Sequence, residues 1–109
     1  MYSIGIEEEY FVFDASSRRA VTHTSKAFFA EAQKRLGDRV MTEMLQSQIE
    51  VATPPCATLA EARKALAHYR STLAEAARKH KLGIAAMGTF PLAFWPEQTM
   101  TPKARYGAI

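Results

Sequence analysis

Positions 3–14 sort into two sides of an extended chain, with Ile4, Ile6, Glu8, Tyr10 and Val12 on one and Gly5, Glu7, Glu9, Phe11 and Phe13 on the other. That alternation, rich in β-branched and aromatic residues, predicts a strand. Residues 15–20, with Ser16, Ser17, Arg18 and Arg19, read as a polar turn. Thr24 or Ser25 can then cap a helix running to Leu36, whose stripe is Phe28, Phe29, Ala32 and Leu36, and Gly37 supplies a left-handed stop. Residues 45–53 predict a second strand, with Leu45, Ile49 and Val51 facing one way and Gln46, Gln48, Glu50 and Ala52 the other. Pro54 and Pro55 end it, because neither has an amide to continue a ladder. The sequence Thr58-Leu59-Ala60-Glu61 is a capping box. Behind it Leu59, Ala62, Leu66, Tyr69, Leu73 and Ala76 recur every three or four residues, predicting a long helix that lies on a sheet and closes at Gly83. Residues 84–87, apolar and bounded by glycines, read as a buried strand. From Thr89 onward Pro91, Pro96 and Pro102 break the pattern, while Phe90, Phe94, Trp95 and Tyr106 leave an apolar segment that needs another surface to cover it. The elements predict one α+β domain over 1–109, a mainly antiparallel sheet with helices packed on one face.

Composition narrows the function classes. A chain of 109 residues with 48% hydrophobic and 23% charged content is an ordinary globular domain. The formal charge is +3, but its basic residues are scattered along helical segments without interleaved aromatics, which argues against nucleic acid as a partner. Cys56 is the only cysteine, so neither an internal disulfide nor a thiolate zinc site can form, and a reducing, cytosolic setting is expected. After two prolines and without a basic partner, Cys56 reads as a packed small residue. No apolar run is long enough to span a bilayer, and no membrane partner is expected.

Candidate chemistry lies in two places. In Glu7-Glu8-Glu9 the outer two carboxylates project to one face of a strand and the middle one to the other. Two like charges so close raise each other's pKa unless a cation sits between them, and a divalent ion would take oxygen ligands from both. An acidic strand edge solvated by water is the plain alternative, although Phe11 and Phe13 share that face and make unpaired charge costly there. Glu50 lies mid-strand beside Gln46 and Gln48, a polar stripe that faces either solvent or a site. Glu43 has the opposite parity, so it reaches the same site only if a bulge or turn intervenes near 44–47.

The blocks GIEEEYFVFD, TEMLQSQIEVATPPC and GTFPLAFWPEQTMTPKARY, with a helix between the last two, resemble the successive amino-terminal blocks of the carboxylate–amine ligase family, the bacterial type-2 glutamate–cysteine ligase group. The resemblance implies a partial glutamine-synthetase-like catalytic fold, a sheet curved into a funnel lined by metal-binding glutamates. It implies an enzyme of glutathione biosynthesis that phosphorylates the glutamate γ-carboxylate with ATP and lets an amine, typically that of cysteine, displace phosphate. Glu7, Glu9, Glu43 and Glu50 would correspond to metal ligands for Mg²⁺ or Mn²⁺, Glu50 and Arg105 to catalytic groups, and Gln48 to a nucleotide or substrate contact.

The chain departs from the family in carrying Phe90 where GTHP is common, which removes whatever the histidine contacts. It also stops at Ile109, shortly after the RY pair, so it is read as an amino-terminal portion that is inactive alone. The competing reading is a non-catalytic module that self-associates through the apolar segment around Phe94 and Trp95, giving a homo-oligomer. A divalent-metal hydrolase built on Glu7, Glu9 and Glu50 ranks last, since no His or Asp cluster supports it.

Overall fold

The computed structural model describes residues 2–91, 96 and 98–102. Its elements are β1 (Glu7–Asp14), α1 (Lys26–Leu36), β2 (Val40–Thr42), β3 (Gln48–Ala52), α2 (Leu59–Lys79) and β4 (Leu82–Ala85). The strands form one antiparallel sheet in the order β2-β3-β1-β4, and the expected α+β class is observed.

Both helices start where their caps predict. The Ser25 hydroxyl accepts the Phe28 amide, and Gly37 after α1 takes φ 60°, open to glycine without a Cβ penalty. At α2 the Thr58 hydroxyl accepts the Glu61 amide, while the Glu61 carboxylate accepts the Ala57 amide at 2.8 Å. The helix ends earlier than expected, at Lys79, with Arg78 and Lys79 meeting the negative end of its dipole. Lys81, at φ 58°, makes the turn, and Gly83 is a strand residue instead of the helix stop. The fourth strand therefore begins at Leu82, and as the edge of the described sheet it is half-buried, not buried.

One sheet face carries the core. Tyr10 and Val12 of β1, Ile49 and Val51 of β3 and Val40 of β2 pack on Phe28, Ala32 and Leu36 of α1 and on Tyr69, Leu73, Ala76 and Ala77 of α2. The helical stripe matches its prediction except at its start, where Leu59 is exposed, and at its end, where Ala77 joins. The first strand pairs continuously only from Glu7, although Ile4 still bridges Cys56 across the two prolines.

The predicted strand over 45–53 is in fact the second half of a hairpin. Its first half, β2, was not expected, because three residues of which only Val40 is buried give no readable alternation. The chain reverses between Thr42 and Gln48, and residues 98–102 run alongside that reversal. The Gln46 amide donates to the Thr99 carbonyl at 2.6 Å and the Thr101 amide to the Met44 carbonyl at 2.7 Å. The Thr101 hydroxyl donates to the Glu43 carbonyl, and Ser47 to the Gln98 side chain. This part of the apolar tail is thus held by the chain's own hairpin, whereas Phe94 and Trp95 lie outside the described residues.

A candidate metal centre on the sheet face opposite the helices

Strand register brings the acids together. Glu9 stands directly opposite Glu50 across β1 and β3, so both side chains leave the sheet on the face away from the core. Met41 pairs with Glu50 across β2 and β3, and two residues further along Glu43 emerges on that same face. The reversal after Thr42 is the turn that parity required. One carboxylate oxygen from each of Glu9, Glu43 and Glu50 lies within 4.8 Å of the others. Glu7 shares the face and stands opposite Ala52. It lies outside this trio, but its charge acts on both Glu9 and Glu50.

The electrostatics are those of crowded carboxylates. A hydrogen bond with the Glu43 carboxyl, followed by burial and the charges of Glu43, Glu7 and Glu9, pushes Glu50 up to about 7. Burial, and then the charge of Glu43, raises Glu9 as well. Shared protons hold such a group together only while the pH allows, and a hard divalent cation satisfies all three anions at once. The donor set is oxygen only, which fits Mg²⁺ or Mn²⁺ and not a thiolate or imidazole metal. Among the described residues no other group of three His, Cys, Asp or Glu side chains meets in this way.

Phe11 and Phe13 continue the same face beyond the acids, and Phe90 covers them, its ring 5.7 Å from that of Phe11 and stacked 5.8 Å from that of Phe13. The residue standing in place of the family histidine is buried aromatic packing. The outer end of the Phe13 ring lies against Gly83, where a Cβ would meet it at 2.3 Å.

Gln48 faces Phe11 across the ladder and is only 7% exposed, so it is not a solvated strand residue. It borders a cleft of about 440 Å³ shared with Thr24, Phe29, Gln33 and Thr101. Arg105 lies outside the described residues. Cys56 is the packed residue expected, its thiol donating to the Pro54 carbonyl at 3.2 Å.

Sequence reasoning gave Glu8 no role and did not single out Arg70. The Arg70 guanidinium grips Glu8 with two nitrogens, Nε on Oε1 at 2.7 Å and Nη2 on Oε2, and the Tyr10 hydroxyl donates to Oε1. The Arg70 hydrogen bonds hold the Glu8 carboxyl below its usual range in spite of its burial. A charged residue on the Ile4, Ile6, Tyr10, Val12 side was the available signal, since a carboxylate on a core face demands a cation.

Three carboxylates gathered on one face of a sheet that packs its helices on the other make an oxygen donor set of the kind a hard cation takes. Comparison with known proteins is more specific. The sequence matches the glutamate–cysteine ligase family 2 over residues 3–109, and the chain belongs to that family. A protein of Ectopseudomonas mendocina provisionally named glutamate–cysteine ligase 2 is 42% identical over 107 residues, covering 98% of this chain and 28% of the relative. Similarly named proteins of Chloroflexus aurantiacus and of a Bradyrhizobium species are 37% and 41% identical, each over 108 residues. The chain thus spans about a quarter of the length of these relatives, 26% to 28%. No helix among the described residues is long and apolar enough to cross a membrane.

Proposed function

We propose that this sheet face is the metal-bearing wall of an ATP-dependent glutamate–cysteine ligase site within a glutamine-synthetase-like funnel, working in the cytosol. The observation that carries the reading is the meeting within 4.8 Å of Glu9 and Glu50, on paired strands, with Glu43, the residue that follows β2. Strands hold ligands such as Glu9 and Glu50 more precisely than loops do. Glu9, Glu43 and Glu50 would hold Mg²⁺ or Mn²⁺, and Glu7 adds negative charge beside them. A bound divalent ion supplies charge neutralisation for the phosphates of ATP. In the reaction the γ-phosphoryl group passes to the glutamate γ-carboxylate, releasing ADP, and the amine of cysteine or a similar acceptor then displaces phosphate to leave an amide. Phe11, Phe13 and Phe90 form an apolar flank beside the acids. Gln48 and Arg105 are assigned to substrate or nucleotide contact.

The test uses a full-length relative. Glutamine at the position aligned with Glu50 removes a ligand charge without changing volume, and turnover should fall by about 10²- to 10³-fold at saturating Mg²⁺. Near-normal turnover would overturn the assignment. In a phosphate-release assay with ATP, glutamate, cysteine and Mg²⁺, the 109-residue chain alone should release no glutamate-dependent phosphate above its Glu50→Gln control.

A further inference from the structure

Among the described residues, the half of β1 that carries the acids has a paired strand on one side only. β3 pairs with Glu7, Glu8, Glu9, Tyr10 and Phe11, whereas β4 reaches no further along the strand than Phe11. Across residues 7–10 the described sheet therefore supplies one hydrogen-bonded neighbour, and a strand flanked once is freer to twist and shift than one flanked twice. At this stretch the opposite face supplies a different restraint. Glu8, between Glu7 and Glu9, turns toward the helices, and its side chain is 17% exposed. Both its oxygens are occupied, Oε1 by Arg70 Nε at 2.7 Å and by the Tyr10 hydroxyl, Oε2 by Arg70 Nη2. The two-pronged geometry fixes direction as well as distance, which a single ammonium contact does not. Tyr10 is buried and stands opposite Ile49, the residue next to Glu50, so the same network also touches the register that sets Glu50 against Glu9.

We propose that Arg70 is a positioning residue for the acid cluster, riveting β1 to α2 through Glu8 so that Glu9 is held against Glu43 and Glu50 from the far side of the sheet. The proposal rests on the reading of Glu9, Glu43 and Glu50 as a divalent-cation site. It gives the middle glutamate of the Glu7-Glu8-Glu9 run a purpose that metal ligation does not.

The sign of one measurement separates this role from simple electrostatics. Arg70 is a cation, so deleting it without moving Glu9 should tighten binding of another cation. Deleting it and loosening Glu9 should weaken binding, by about tenfold for a lost outer-sphere partner. Mn²⁺ affinity of the 109-residue chain is measured by calorimetry for the native protein and for the Arg70→Gln, Arg70→Lys, Glu8→Gln and Glu50→Gln variants. The expected result is weaker binding by about tenfold in Arg70→Gln, a smaller loss in Arg70→Lys, and no further loss when Glu8→Gln is added to Arg70→Gln. Arg70 is largely exposed on α2, so its replacement opens no cavity, and circular dichroism checks the fold of each variant. Unchanged or tighter Mn²⁺ binding in folded Arg70→Gln would overturn the positioning role, whatever happens to its melting temperature. Mn²⁺ binding that Glu50→Gln leaves intact would overturn the metal reading, and the positioning role with it.

Discussion

Glu50 and Glu8 lie on opposite faces of one sheet and respond to pH in opposite senses. The Glu50 carboxyl is raised to about 7 and Glu9 is raised as well, so between the ordinary value near 4.5 and about 7 the folded protein binds more protons than the unfolded chain. Stability contributed by Glu50 is therefore full below 4.5 and is lost as pH rises through about 7, and that contributed by Glu9 is lost in the same direction. Glu8 is lowered, so its contribution is present above 4.5 and is lost as pH falls below it. Urea unfolding in the presence of a chelator should show stability declining from pH 4.5 to 7, and Glu50→Gln should flatten that decline. The substitution expected to weaken Mn²⁺ binding should thus stabilise the metal-free protein at neutral pH, a combination that loss of packing cannot produce. Glu9 stood out because Glu7 and Glu9 put like charges on a phenylalanine-bearing face, and Glu50 because it shares a polar stripe with Gln46 and Gln48 in mid-strand. The Glu8–Arg70 pair did not, since its partners are 62 residues apart and no local pattern links them.

Among the elements, the helices were the most legible. Their caps are local chemistry, with Ser25 and Thr58 each satisfying an amide three residues on, and replacing Thr58 with alanine should cost about 1 kcal/mol in urea unfolding. The strands were less so. Parity counting over 45–53 assumed a single extended run, whereas the hairpin turn lies just before Gln48 and sends Glu43 to the face of Glu50. Gly83 illustrates the same limit, because after a long helix a glycine resembles a stop. Its actual constraint is the Phe13 ring from the neighbouring strand, an atom of which lies 2.3 Å from where a Cβ would sit. Gly83→Ala must displace that ring and, with it, the Phe90 stack. We expect a loss of about 1–3 kcal/mol by urea unfolding, mostly recovered when Phe13 is shortened to leucine in the double variant.

At the scale of the whole molecule, the sheet separates two jobs. Its helix side supplies the core, and its other side concentrates negative charge that a cation would relieve. A ligand that binds only the folded state stabilises it by mass action, about 2.7 kcal/mol at one hundred times its dissociation constant. For a domain of this size that is a rise of roughly ten degrees or more in melting temperature. Mn²⁺ at such a concentration should raise the melting temperature of the native chain and leave that of Glu50→Gln almost unmoved, as scanning calorimetry can show. The fold class followed from the order of periodic segments, but the pairing of residues 98–102 with the hairpin did not, because proline-broken sequence carries no periodicity to read.

That pairing also has a consequence in time. The carbonyl of Glu43 receives the Thr101 hydroxyl, and the Gln46 side chain donates to the Met100 carbonyl at 3.0 Å, contacts that close loops of 58 and 54 residues. As the polypeptide leaves the ribosome, β1, β3 and both helices are all available before residue 98 exists, so a nascent chain can condense its core with Glu9 and Glu50 already facing each other. The later segment then adds a second hold on the loop bearing Glu43, beyond the pairing of β2 with β3. The loop that bears Glu43 therefore gains its full set of hydrogen bonds later in synthesis than the strands that bear Glu9 and Glu50.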